Sequence, residues 1–162
     1  MLEEKAEPIA EQLQLVSGRV EMGVRIALDV PNIFQHLVDA EPALRAARDQ
    51  MVALGSPHAQ RVEVGRLFER VLGERRRAIQ DRVQDALGEI AVQIAIDPPK
   101  TESELLRLAV LIEKARQDQF EAIVHELGAA LDATHRLDYS GPWAPHSFVK
   151  LDLSPEALAE AA

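Results

Sequence analysis

A chain of 162 residues, 47% apolar and 28% charged, suits one domain able to bury a core without covalent staples. The absence of cysteine excludes disulfides, thiolate zinc sites and a thiol nucleophile, and a formal charge of −9 argues against a broad nucleic-acid surface. No apolar run approaches the roughly 18 residues of a membrane span, and Met1 followed by Leu-Glu-Glu-Lys reads as no signal peptide, so a cytoplasmic context is expected.

Residues 1–14 read as an N-terminal linker helix with Leu2, Ile9 and Leu13 apolar. From Val16 to Leu28 every second residue is apolar or Gly, the period of a long strand with one buried and one solvated face. Asp29, Pro31 and Asn32 stop it. Helical spacing follows, with Phe34, Leu37 and Val38 in one stripe and Leu44, Ala47 and Met51 in another. Pro42 between them marks the first turn of a second helix. Gly55-Ser56-Pro57 is a loop. A long helix then runs from Val64 through Phe68, Leu72, Ile79 and Val83 to Leu87, ending at Gly88.

Ile90, Val92, Ile94 and Ile96 predict a second strand, closed by Asp97-Pro98-Pro99. A third strand holds Leu106, Leu108, Val110 and Ile112 on one side and Leu105, Ala109 and Leu111 on the other, a pattern that suits a central position. Phe120, Ile123, Val124, Leu127 and Leu131 stripe another helix, and His135, Leu137 and Tyr139 predict a short last strand. The reading is α+β: a ferredoxin-like split βαββαβ antiparallel sheet, with a long helical hairpin as the first crossover and strands one and three central. A single domain is expected over 15–150 and a flexible tail over 151–162.

Candidate chemistry is sparse. His36, His58, His125, His135 and His146 form no HExxH step, so surface or half-buried roles outweigh a metal site. Glu21 and Arg25 share a strand face, where ion pairing outweighs acid–base work. In the basic cluster 74–82, Arg70 and Glu74, and Arg77 and Asp81, stand four apart and read as a self-paired, solvated helix face. No nucleotide-binding, phosphate-binding or nucleophile-elbow motif occurs, and no cofactor is implied.

The stretch 139–149, YSGPWAPHSFV, concentrates the only Tyr, the only Trp and a Phe in a chain with 4% aromatics. Gly141-Pro142 and Ala144-Pro145 argue against helix and strand alike. An extended C-terminal arm is expected, with Trp143 and Phe148 folding back onto the core as anchors. The same rigid aromatics would also serve as a recognition surface. Gly141, Pro142, Trp143, Pro145, Ser147 and Phe148 are therefore the candidate latch and interaction residues.

GPWAPHSFV resembles the GPWPPYSFV signature near the C-terminus of the gas vesicle accessory family GvpL/GvpF. LQLVSGRVEMGVRIALD, LAVLI and KARQDQFEAIVHELGAALDATHRLDYSGPW are collinear with the same family, so the resemblance runs from about Leu13 to Val149. Ala144 replaces the first Pro of the family's Pro-Pro pair, His146 replaces Tyr, and Met22 stands where Trp is common. The resemblance implies a non-enzymatic protein that binds the vesicle shell protein and other accessory proteins during nucleation and assembly. It also implies an additional N-terminal domain in longer members, for which this chain has no room, and leaves open whether a separate chain supplies it. Two other readings stand beside it: a ferredoxin-like small-molecule-binding or sensor domain, and a minor enzyme using His135 or His146. Exposed strand edges leave homo-oligomerisation open, by exchange of the arm or the first helix.

Overall fold

Burying a ten-residue strand on both faces requires cover on both sides of the sheet, and the fold supplies two unequal covers. The structure is a computed structural model that describes residues 2–149; the tail expected over 151–162 lies outside them. In chain order the elements are α1 (Leu2–Val16), β1 (Arg19–Leu28), α2 (Ile33–Ala40), α3 (Pro42–Ala53), α4 (His58–Leu87), β2 (Ala91–Ile96), β3 (Glu104–Glu113), α5 (Gln117–Ala130) and β4 (His135–Trp143). Short 3-10 turns occupy Lys114–Arg116 and His146–Phe148.

The four strands form one antiparallel sheet in the order β2-β3-β1-β4, so the two longest strands are central, as their apolar patterns predict. On one face, Met22, Val24 and Ile26 of β1 and Leu106, Leu108 and Val110 of β3 share a core with the helices. Leu37, Leu44, Phe68, Leu72, Leu87 and Phe120 are the helical side of that core, each at most 8% exposed. The caps follow local chemistry: the Asn32 side chain accepts from the Gln35 N–H at 2.9 Å, and Pro42 opens α3 where no helical donor is required.

The second face is covered far more thinly. Ala109 and Leu111 of β3 meet Phe148 of the last turn, with Leu15 of α1 and Ala95 of β2 at the margin. This cover overturns the expectation that the polar side of β1 is solvated. Glu21 is only 4% exposed, because the last turn crosses that end of the face and Ser147 bonds its carboxylate.

Four other expectations change. Val16 ends α1 rather than starting β1: the Ser17 N–H closes the helix on the Leu13 carbonyl at 2.9 Å, and Gly18 at φ +69° turns the chain. In β2, Val92 and Ile96 are 38% and 40% exposed instead of buried, since the strand lies at the sheet edge with a register shift between Ala91 and Gln93. The basic cluster of α4 pairs outward rather than with itself. Arg75 meets Glu41 at 3.1 Å, and Arg76 donates to the carbonyls of Glu104 at 2.9 Å and Glu102 at 3.1 Å.

The fourth change is the largest. Residues 140–143, expected as part of an irregular arm, continue β4 beyond Tyr139 against β1, pairing Ser140 with Gly23 and Trp143 with Glu21. Gly141-Pro142, joined by a cis bond, sits where the register shifts, so the missing proline donor removes no ladder bond there. Gly141 has φ +115°, and an added Cβ would lie 2.8 Å from the Glu21 carbonyl and 2.9 Å from Met22 Sδ. Gly141→Ala should therefore lower the unfolding free energy by roughly 1–3 kcal/mol in urea titration. Gly65→Ala in α4, where an added Cβ meets nothing within 4 Å, should instead raise it by up to about 1 kcal/mol.

Candidate functional site

The thinly covered face is built in three cross-strand rows. Directly paired residues place Arg107, Arg25 and Asp138 in the first, Ala95, Ala109, Gly23 and Ser140 in the second, and Leu111, Glu21 and Trp143 in the third. Paired residues point to the same side of a sheet. The middle row is therefore a floor of small side chains between two rows of large ones. The result is an open hollow of ≈ 480 Å³ bordered by Arg25, Arg107 and Asp138 on one side and by Trp143, His146 and Ser147 on the other. A second hollow of ≈ 540 Å³ between α3 and α4 holds none of the candidate latch residues or histidines, and its Glu63–Arg66 pair is well exposed.

Each side of the hollow is organised by one buried acid. Glu21 accepts the Ser147 N–H at 2.9 Å and the Ser147 hydroxyl at 2.6 Å. His146 Nδ1 lies 3.5 Å from the same carboxylate and 2.9 Å from the Ala144 carbonyl. This clasp draws the last turn onto the sheet and seats Phe148 at 6% exposure against Ala109 and Leu111. Trp143 does not join it. The indole is 54% exposed at the rim, its Nε1 donating to Ser140 Oγ at 3.3 Å. The expectation that both aromatics seat on the core is corrected for Trp143: as β4 continues to that residue, the side chain is held at the sheet margin, beyond the reach of the core.

On the opposite side, Glu104 is 2% exposed and accepts the Lys100 N–H at 2.7 Å. It also binds the Arg107 guanidinium and Arg25 Nε, the latter at 3.1 Å. The Arg107 hydrogen bond, the Lys100 amide and the charges of both arginines hold its carboxyl below the usual range, against the opposing effect of burial. Arg25 thus makes the ion pair expected of it, with Glu104 of the neighbouring strand, while Glu21 on the same face turns to Ser147. Both buried carboxylates accept donors within the fold, which fits them to hold chain in place.

Of the candidates, Gly141 and Pro142 shape β4, Pro145 precedes the final turn, Ser147 clasps, Phe148 plugs and Trp143 is presented outward. The histidines are scattered. His135 sits on Asp132 at 2.8 Å, and Asp132 is held well below the ordinary carboxylate range, first by the Thr134 hydroxyl and then by His135. His125 lies 6.2 Å from the Tyr139 ring, and among the described residues no group of three or more His, Asp or Glu could hold a metal ion. Sequence reasoning missed Glu21 and Glu104 as organising residues. The one local sign was an acid placed within an otherwise half-apolar strand, and its partners lie elsewhere in the chain.

A family model described as gas vesicle synthesis protein GvpL/GvpF matches residues 1–150. Gas vesicle protein F of Nostoc sp. (strain PCC 7120 / SAG 25.82 / UTEX 2576) is 27% identical over 143 residues, covering 88% of this chain and 59% of that protein. Gas vesicle protein F of Streptomyces sp. (strain CB03234) is 26% identical over 153 residues, covering 93% and 63%. The crystal structure of GvpF from Anabaena sp. PCC7120 matches with a TM-score of 0.82 at 26% identity, over 94% of this chain and 62% of that one. The crystal structure of GvpF from Microcystis aeruginosa shares the fold, with a TM-score of 0.76 at 22% identity over 93% and 62%. The chain thus spans about three fifths of the length of the relatives it matches.

The two rims should respond differently to mutation. Phe148→Ala should cost about 3 kcal/mol of unfolding free energy, and Trp143→Ala less than about 1 kcal/mol, both read by urea denaturation. Glu104 has a folded-state pKa below its unfolded value of 4.5, so its stabilisation is complete above that pH and is lost as pH falls through the lower folded value. Glu104→Gln should therefore destabilise by roughly 1–3 kcal/mol at neutral pH. The gap to the parent chain should begin to close below pH 4.5 in melts taken across the acid range.

Proposed function

This chain belongs to the GvpL/GvpF family of gas vesicle synthesis proteins, and from that premise we propose that it is a non-enzymatic gas vesicle accessory protein. It binds the shell protein or other accessory proteins while vesicles nucleate and grow, in the cytoplasm and in association with the vesicle. The family match over residues 1–150 carries this reading.

The structure supports a contact-based mechanism. The sheet order β2-β3-β1-β4 with helices on one face is the order a split βαββαβ plan requires, and it supports treating α2–α4 as one long crossover in a ferredoxin-like domain. Within that domain, residues 144–148 act as a latch, with Ser147 as its clasp and Phe148 as its plug. The latch fixes one rim of the hollow. Trp143, exposed yet tethered through its indole nitrogen, is the residue of that rim best placed to meet a partner. A preorganised aromatic loses little conformational freedom on binding, the property that makes Trp a common hot spot. The hollow itself is open, with a floor of small residues, which fits a protein surface better than an enclosed small ligand.

Co-purification from a vesicle-forming host tests the proposal. The tagged full chain should recover gas vesicle proteins, and Trp143→Ala should reduce recovery about tenfold at an unchanged melting temperature. Recovery of no vesicle component by the parent chain, or normal vesicles in cells without the gene, would refute it.

A further inference from the structure

Regular strands send residues three apart to opposite faces, yet Ser140 and Trp143 of β4 share one. Ser140 pairs with Gly23 and Trp143 with Glu21, so β4 takes three steps where β1 takes two. The extra residue is a bulge at Gly141-Pro142, and a bulge re-aims the side chains beyond it. Tyr139, just before it, pairs with Val24 of the helix-covered core. In an unbroken strand Trp143, four positions on, would point to that same side.

Once turned, the indole is caught by its own strand. Nε1 donates to Ser140 Oγ at 3.3 Å, while Trp143 stays 54% exposed. An indole has a single N–H donor and no acceptor, so this bond engages its whole polar capacity. Ser140 Oγ in turn stands in space that only a glycine leaves, since a Cβ on Gly23 would lie 2.7 Å from it. Glycine inside a central strand costs stability relative to alanine, and here the gap it leaves is filled by the hydroxyl that holds Trp143.

We infer that Ser140 is a positioning residue for partner binding: its hydroxyl, seated over Gly23, holds Trp143 in one orientation before a partner arrives. The inference rests on the accessory role proposed above, with Trp143 as its contact residue. Because the N–H is engaged, the indole offers a partner its ring and no donor. What it meets is an apolar side chain, not a hydrogen-bond acceptor, laid against the ring beside the small floor residues Gly23 and Ala109. An untethered indole would have to be ordered during binding, and Ser140 removes that cost.

Trp143 is the only tryptophan, so fluorescence anisotropy decay of the full chain reports this side chain alone. Ser140→Ala should enlarge the fast, local component of the decay at unchanged circular dichroism. Gly23→Ala, which turns the hydroxyl aside, should do the same, and Ser140→Thr, which keeps an acceptor, should restore the parent decay. In co-purification from a vesicle-forming host, Ser140→Ala should lower recovery of gas vesicle proteins about three- to tenfold. Added to Trp143→Ala it should lower recovery no further, since the hydroxyl acts only through the indole. Fast indole motion that is the same in Ser140→Ala as in the parent overturns the inference, whatever the parent binds. So does full recovery by Ser140→Ala, or a further loss in the double variant, and both of these leave the accessory role standing. A parent chain that recovers no vesicle component overturns the accessory role and the positioning with it.

Discussion

One carboxylate joins two parts of the chain 126 positions apart. Glu21 lies in the first strand, nearly without access to water, and its oxygens accept the amide and hydroxyl of Ser147. A buried carboxylate without such donors costs several kcal/mol, so the last turn has to remain on the sheet for β1 to keep its position. The dependence is mutual. With that turn in place, Phe148 covers Ala109 and Leu111, and β3 can be apolar on both faces without exposing either one.

The second face of the sheet consequently has an unusual economy. Four helices pack the first face, but the second is held by one turn, by Leu15 of α1 and by two acids that gather donors at opposite sides of a small-residue floor. Gly23 keeps that floor open, since a Cβ there would lie 2.7 Å from Ser140 Oγ and would turn that hydroxyl aside. At the other side, Glu104 holds Arg25 and Arg107 as a fixed pair of cationic groups above the sheet. The surface between is shaped before any partner arrives, the condition under which binding free energy is not consumed in ordering side chains.

The likeness to GvpF of Anabaena sp. PCC7120, with a TM-score of 0.82 at 26% identity, fits a fold maintained by pattern more than by residue identity. Apolar alternation in β1, the double-sided β3 and the striped α4 and α5 tolerate exchange among Val, Ile, Leu and Phe as long as volume and period are kept. The small and special residues are less exchangeable. Gly141 and Gly23 are bounded by contacts under 3 Å, and Ser147 and Glu21 act as a pair.

What the amino-acid sequence determined by itself is everything governed by local period and backbone chemistry. The alternation of β1, the two apolar sides of β3, the stripes of α4 and α5, the break at Pro42 and the stop at Gly88 could all be read within a window of a few turns, and the α+β order followed from them. The short GPWxPxSF element was likewise legible as special, and Phe148 as its buried anchor. Tertiary structure alone decided the rest. Val92 and Ile96 alternate like buried residues but lie at an edge with a shifted register. Trp143 and Phe148 look equivalent in sequence, yet one is fixed at a strand margin and the other beneath a turn. Arg75 and Arg76 find partners outside their helix, and Glu21, polar and in phase with a solvated face, is covered by chain from the far end. In each case burial depends on which distant segment crosses a residue, and a linear pattern records a side chain's own character but not the arrival of its neighbour.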